Sequence, residues 1–352
     1  MIRRTLAIGT VFTAVLTLTA CQTQKTSSAG NAPDSSGSGT SEKVTIMVGG
    51  ASKVIYMPAK LTEQLGYFKD QGLNVELVDT PAGVTAETAL LAGQAQGVVG
   101  FYDHTIDMQS KGKCLESVVQ FANVPGEVEM VSKASAKFIT SPSHFKGKKM
   151  GVTSPGSSTD FLTQYLAGKA GVATADYTTV KAGADATFIA AIKSGGIDAG
   201  MTTDPTVAQL TKTGDAKILL DMRTEEGTTK ALGGLYPASS LYMSCEYVAG
   251  HSEVVQKLAN AFIKTLKFIG TSDAAVIADK MPADYAGSDK SLYVSAIGSS
   301  KGMFTNDGVM DAAGAKNALE VLGSFSPSVK PKKGTIDISK TYTSKFAQSA
   351  TS

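Results

Sequence analysis

Residues 43–48 read KVTIMV, an alternating run rich in β-branched side chains, and Gly49-Gly50-Ala51-Ser52 breaks it at once. Alternation of this kind marks a strand, and the glycine-rich break marks its end. Pro58 then suits the first turn of a helix running to about Leu65, which Gly66 stops. The unit repeats along the chain. Residues 67–73 lead into a second strand at 74–78. A helix at 85–91 ends at Gly93, a strand follows at 97–101, and a helix at about 105–110 precedes a strand at 115–121. Strand–helix–strand order of this length implies a mainly parallel sheet covered by helices.

The rhythm restarts at residues 149–153 with a further strand. Helices are expected at 160–167, 185–193 and 205–210, and strands at 178–180, 199–201 and 216–221. The body therefore reads as α/β, with two lobes rather than one long sheet. Residues 241–247 read as a strand returning the chain to the first lobe, and residues 254–268 as a long amphipathic helix. The remainder reads mostly helical.

A chain of 352 residues is long enough for two modest cores. Its formal net charge is +2, with no clustered Lys/Arg run, so a nucleic-acid footprint is not expected. Of the three cysteines, none forms a CxxC pair. Cys114 and Cys245 are left either as one disulfide or as two small apolar core residues.

Cys21 has a separate context. Arg3 and Arg4 precede an apolar stretch too short to span a bilayer comfortably, which ends in Leu18-Thr19-Ala20-Cys21. Residues 1–20 therefore read as a signal peptide, and Cys21 as a lipidation site resembling a bacterial lipobox. Residues 22–41, rich in Ser, Gly, Thr and Ala, read as a tether. The expected location is extracytoplasmic, in the cell envelope on the periplasmic side, anchored by lipid.

Candidate binding residues fall at the carboxyl ends of the strands, where ligands of open α/β sheets sit. The strongest signal is residues 154–160, SPGSSTD, between a strand and a helix. Unpaired backbone N–H groups, the helix dipole and the hydroxyls of Ser157, Ser158 and Thr159 suit an anion there. An N-capping role for one serine is the plainer reading. The turn is not a Walker loop, because the phosphate-contacting lysine is missing. Asp204, before Pro205, is placed to cap a helix or to accept a hydrogen bond from a ligand. Tyr102 and His104 follow the third strand, and Ser52, Lys53 and Tyr56 follow the first. Catalysis finds little support. The three histidines have no metal-ligand spacing, there is no GxSxG elbow, and no cofactor or metal is called for.

Tyr56-Met57-Pro58 with residues 63–76 (EQLGYFKDQGLNVE) resembles the N-terminal signature of the nitrate/sulfonate/taurine-type solute-binding proteins. The likeness continues through residues 89–93, through 145–152 (FKGKKMGV) with the serine-rich turn, and through 192–199 (IKSGGIDA) with Asp204-Pro205. The resemblance implies a type II periplasmic-binding fold. Lobe I would take residues 43–132 plus 239–352, and lobe II residues 133–238, with ligand in the cleft. It also implies ABC permease and ATPase partners.

Carried over by position, the site would comprise Ser52, Tyr56, Tyr102, His104, Ser157, Ser158, Thr159 and Asp204. The family's usual Gly-x-x-Asp step is Gly93-Gln94-Ala95-Gln96 here, and bulky Tyr102 and His104 replace small residues. This points away from nitrate and simple sulfonates, toward a larger organic anion with an aromatic part. The family also contains enzymes of thiamine-pyrimidine synthesis, which carry a Cys-rich motif with a partner His. Cys114 and Cys245 stand alone, so no enzyme activity is expected.

Overall fold

The computed structural model describes residues 43–351. The signal-peptide, lipidation and tether readings, Cys21 included, lie outside those residues. Among the described residues, ten strands form two five-stranded sheets. The first contains β1 (Lys43–Val48), β2 (Asn74–Asp79), β3 (Gly97–Phe101), β4 (Leu115–Gln120) and β10 (Ser239–Ser244), in the order β2-β1-β3-β10-β4. The second contains β5 (Glu127–Ser132), β6 (Lys149–Val152), β7 (Thr178–Lys181), β8 (Ala199–Thr203) and β9 (Ala216–Asp221), in the order β7-β6-β8-β5-β9.

Each sheet is parallel at β1, β2 and β3, or at β6, β7 and β8. One antiparallel strand is then inserted fourth: β10 in the first sheet, β5 in the second. Both inserted strands carry one register shift, at Leu241/Tyr242 and at Glu129/Met130. β5 and β10 are the strands by which the chain enters the second sheet and returns to the first. The stretches beside them pair with each other: Tyr236 N–H donates to the Asn123 carbonyl at 3.1 Å, and Ala238 N–H to the Ala122 carbonyl at 2.8 Å.

Two differences from the sequence reading have local causes. β5, EVEMVS, falls within the expected first lobe and carries no expected strand, yet it pairs at full length in the second sheet. Glu127 and Glu129 interrupt its apolar positions, yet both faces of β5 are covered. The returning strand ends at Ser244, not 247. The Ser244 hydroxyl accepts from the Tyr247 N–H at 3.1 Å and opens the helix Cys245–Gly250.

The main core lies over the first sheet. Helix Ser252–Thr271 buries one apolar stripe against helix Met57–Gln64, and the Phe262 ring packs on Phe68 and Phe121, with centroids 5.3 and 4.9 Å away. Cys114 and Cys245 are joined in a disulfide, which resolves the two alternatives and ties the start of β4 to the end of β10. The second sheet has smaller cores, one around Phe188 and one around Phe145.

Candidate functional site

The carboxyl ends of β1, β3, β6 and β8 face one another across the gap between the sheets, and side chains close it. Val54 N–H donates to the Asp204 carbonyl at 3.0 Å, and Ser52 Oγ donates to Asp185 Oδ2 at 2.5 Å. Ser158, first residue of the helix Ser158–Lys169 on the second sheet, donates to Asp103 Oδ1 at 3.0 Å. Asp103 opens the helix Asp103–Ser110 on the first sheet, and its Oδ2 accepts from the Tyr236 hydroxyl at 2.8 Å. The helix N-terminus expected to receive an anion thus meets a carboxyl of the protein itself, through Ser158. Burial pushes that carboxyl above the ordinary range; neighbouring His104 and the two hydrogen bonds act the other way.

The residues read from the sequence separate into groups. Ser52, Tyr56, His104, Ser157 and Ser158 lie at the junction of the lobes. Ser157 occupies the N-cap position but its Oγ caps nothing; it is 4% exposed and has no hydrogen-bond partner. Lys53, equally buried, donates to the Gly49 carbonyl at 3.0 Å, and its Nζ lies 5.7 Å from the Tyr56 ring centre. Burial lowers its pKa, offset in part by the charges of Glu127, Asp185 and Asp79.

His104 Nδ1 sits 2.9 Å from Glu87 Oε2. Burial opposes its charge, but the Glu87 carboxylate, with Asp103 and Asp107 behind it, outweighs burial and raises the imidazole to about 9. Its Nε2 has no partner and points toward Gly83, where an added Cβ would stand 3.1 Å away. Gly49 approaches Gly83 as closely, so glycine at both positions lets the β1 turn and the helix Gly83–Leu91 meet beside this nitrogen.

Other candidates are engaged elsewhere. The Tyr102 hydroxyl shares a hydrogen bond with Thr341 Oγ1 at 2.5 Å and its ring lies edge-on to Tyr342, so the side chain runs into the C-terminal segment. Thr159 Oγ1 accepts from the Thr153 N–H at 2.9 Å, fastening the turn. Asp204 accepts from the Ala208 N–H at 3.1 Å, from Ser300 at 2.7 Å and from Arg223 at 2.9 Å. Its capping bond is therefore present, and the rest of the carboxylate is held by an ion pair.

Several residues were missed. Asp103 lies between Tyr102 and His104, in the turn after the third strand. Glu127 and Glu129 alternate with apolar neighbours in EVEMVS, and that alternation was the one signal available. Both are almost fully buried, and burial holds both carboxyls well above the usual range, reinforced at Glu127 by the charge of Asp103. Among the described residues, no group of three His, Cys, Asp or Glu side chains could hold a metal ion.

A family model described as NMT1/THI5 like matches residues 56–272. A solved structure from Bordetella bronchiseptica RB50 is 35% identical, covers 87% of this chain and 96% of its own, and superposes with a TM-score of 0.83. The alkanesulfonate-binding protein SsuA of Xanthomonas axonopodis pv. citri, solved with MOPS, is 21% identical over 86% of this chain and 98% of its own, with a TM-score of 0.68. The periplasmic nitrate-binding protein NrtA of Synechocystis PCC 6803 is 13% identical over 88% of this chain and 87% of its own, at TM-score 0.67. These last two show the fold alone, and it is the two-lobed periplasmic-binding fold expected from the sequence. A 4-amino-5-hydroxymethyl-2-methylpyrimidine phosphate synthase of Aspergillus parasiticus is 26% identical over 67% of this chain and 69% of its own. With more than half of its length matched by one family model and its architecture shared with these structures, the chain belongs to the NMT1/THI5-like family.

Proposed function

We propose that this protein is the extracytoplasmic solute receptor of an ABC importer, closing two lobes on a small organic molecule and delivering it to permease and ATPase subunits. The observation that carries the reading is the junction of the lobes. It is closed by side-chain bridges between loops of different sheets, and it buries polar atoms without partners, Ser157 Oγ and His104 Nε2 among them. Buried polar groups are normally paired. Two lobes that close over unpaired polar groups are suited to a polar guest, and the crossings beside β5 and β10 are the natural hinge. Lobe I would comprise residues 43–132 and 239–352 apart from β5, and lobe II the remainder. Cys21 would carry the lipid that holds the receptor at the membrane.

The sequence points to an organic anion, a sulfonate or carboxylate with an aromatic part. Ser157 Oγ and the raised imidazole of His104 are the donors left to meet its charged end, since Ser158 is engaged by Asp103. The structural neighbours named for nitrate and alkanesulfonate support a solute of anionic type. A thermal-shift screen of the purified protein against nitrate, sulfonates, aliphatic and aromatic carboxylates and pyrimidines tests the reading. A ligand at one hundred times its Kd adds about 2.7 kcal/mol of stability, an easily visible shift. The variant Ser157→Ala should weaken binding of the best ligand at least tenfold. Unchanged affinity removes Ser157 from the site.

The relative named as a pyrimidine phosphate synthase favours a second reading, an enzyme on the same fold. The cysteines argue against it, because Cys114 and Cys245 are consumed in a disulfide. Recovery of the bound solute chemically unchanged after long incubation supports the receptor, and its conversion would establish the enzyme.

A further inference from the structure

Helix Lys290–Ser300 belongs to the C-terminal portion of lobe I, yet it also reaches lobe II. Its root is apolar: Tyr293, Ala296 and Ile297 are buried in the main core with Ile277 and Ala278 of helix Ala274–Lys280. Its other side lies against helix Thr206–Thr213 of lobe II. There the fastening is polar and sits at the two ends. At the start, one oxygen of Asp289 accepts from the Leu292 N–H at 3.0 Å and caps the helix, while the other pairs with Lys212 of lobe II. At the far end, buried Ser300 donates to Asp204 Oδ2 at 2.7 Å, an oxygen that Arg223 also holds at 2.9 Å.

Between those ends the contact is hollow. A cavity of about 430 Å³ is lined by Val207, Ala208 and Thr211 on one side and by Ser291, Ser295 and Ser299 on the other. A second, of about 500 Å³, is lined by Ile189 and Gln209 opposite Tyr285 and Tyr293. The three serines recur every four residues and so share one face of the helix. Parts that stay together are packed without such voids. Hydroxyls beside a void take up water readily when two surfaces separate, whereas parting the apolar root would expose Tyr293 and Ile297. The helix thus has one side built to stay and one side built to release.

We propose that helix Lys290–Ser300 is a latch: it remains with lobe I, and its bonds to Lys212 and Asp204 hold lobe II in the closed position and prolong retention of a solute. This rests on the receptor reading above and adds residues that act without touching the solute. Lys212, Asp289 and Ser300 are positioning residues. Losing their bonds moves the population toward the open form, and apparent affinity falls with the closed fraction. The Ser300 bond is buried and meets a carboxylate, so its loss should weaken retention about tenfold. The Lys212 pair is solvent-exposed, so its loss should cost about twofold and respond to salt.

Small-angle X-ray scattering of the full chain reads the opening without any solute. Ser300→Ala/Lys212→Met should have a larger radius of gyration than the parent, and Lys212→Arg, which keeps the ion pair, should match the parent. Calorimetric titration with benzenesulfonate reads retention. Ser300→Ala should bind it about tenfold more weakly and Lys212→Met about twofold more weakly, the latter deficit vanishing near 1 M salt. A parent and double variant that scatter alike overturn the latch. So does a double variant that opens yet binds benzenesulfonate with the parent's affinity. If no solute of any class binds the parent, the receptor reading falls, and the scattering comparison still decides whether the helix holds the lobes together.

Discussion

The two sheets have the same strand order, the same fourth antiparallel strand and a register shift in that strand, yet they are secured by different means. The first is cross-linked by a disulfide and covered by the long helix Ser252–Thr271 with its phenylalanine cluster. The second, among the described residues, has no disulfide and relies on smaller cores and on Arg223, whose guanidinium bridges Asp204 at 2.9 Å and Asp221 at 2.6 Å. Their cleft-facing acids differ as well. Asp103 of the first lobe has both oxygens paired, whereas Glu127 and Glu129 of the second are left wanting. Equal topology therefore does not mean equal division of labour. One lobe carries the staple and the larger core, and both leave unmet polar groups where they close.

The sharpest way to break this comparison is to remove the staple. Cys114→Ser/Cys245→Ser frees a link spanning 131 residues and should lower stability by about 4 kcal/mol through the greater freedom of the unfolded chain. Denaturant melts should show the loss in the transition reported by first-lobe probes. An equal loss reported from the second lobe would mean that the lobes unfold as one unit.

The counterpart in the second lobe is Arg223→Met, which strips the fully buried Asp204 of its counter-ion and should cost about 3 kcal/mol. Destabilisation below about 1 kcal/mol would show that Ser300 and the Ala208 N–H suffice for Asp204. A smaller effect is expected where the lobes touch. Ser158→Ala leaves one oxygen of buried Asp103 without its donor and should cost about 1–2 kcal/mol in melting experiments.

The subtlest expectation concerns pH. His104 is raised from 6.5 to about 9 in the folded chain, so it binds its proton more tightly folded than unfolded. The stability it contributes is complete below pH 6.5 and is lost as pH rises through about 9. The carboxyls of Asp103, Glu127 and Glu129, also raised, tilt stability in the same direction: each favours the folded state when protonated and loses that advantage as pH climbs through its folded value. His104→Asn should remove the decline between pH 6.5 and 9 while leaving the carboxylate-linked part. A melting profile flat across that range in the parent protein would refute the assignment.

Much of the scaffold was legible from residue order. The strands at β1, β3 and β9, the helices near residues 160 and 185, and the break between two repeating units follow from hydrophobic period and glycine punctuation, which act over a few residues. The turn holding Ser157 and Ser158 was legible for the same reason, since a strand, a glycine and a run of hydroxyls specify a helix start. β5 was not. Two glutamates alternating with valine and methionine look like a solvated edge until the second sheet closes over both faces.

What the chain determined by itself is therefore local: which segments extend, which coil, and where a helix offers its free N–H groups. What only the tertiary structure decided is pairing across distance. Asp103 answers Ser158 over 55 residues, Asp204 is held by Arg223 and Ser300, and Cys114 finds Cys245. The physical reason is that burial reprices a polar side chain according to what stands within 3 Å of it. Glu129 and Asp204 are both acidic residues flanked by uncharged neighbours in the sequence. One is buried against Arg223 and the other against no partner at all, and only the packed fold distinguishes them.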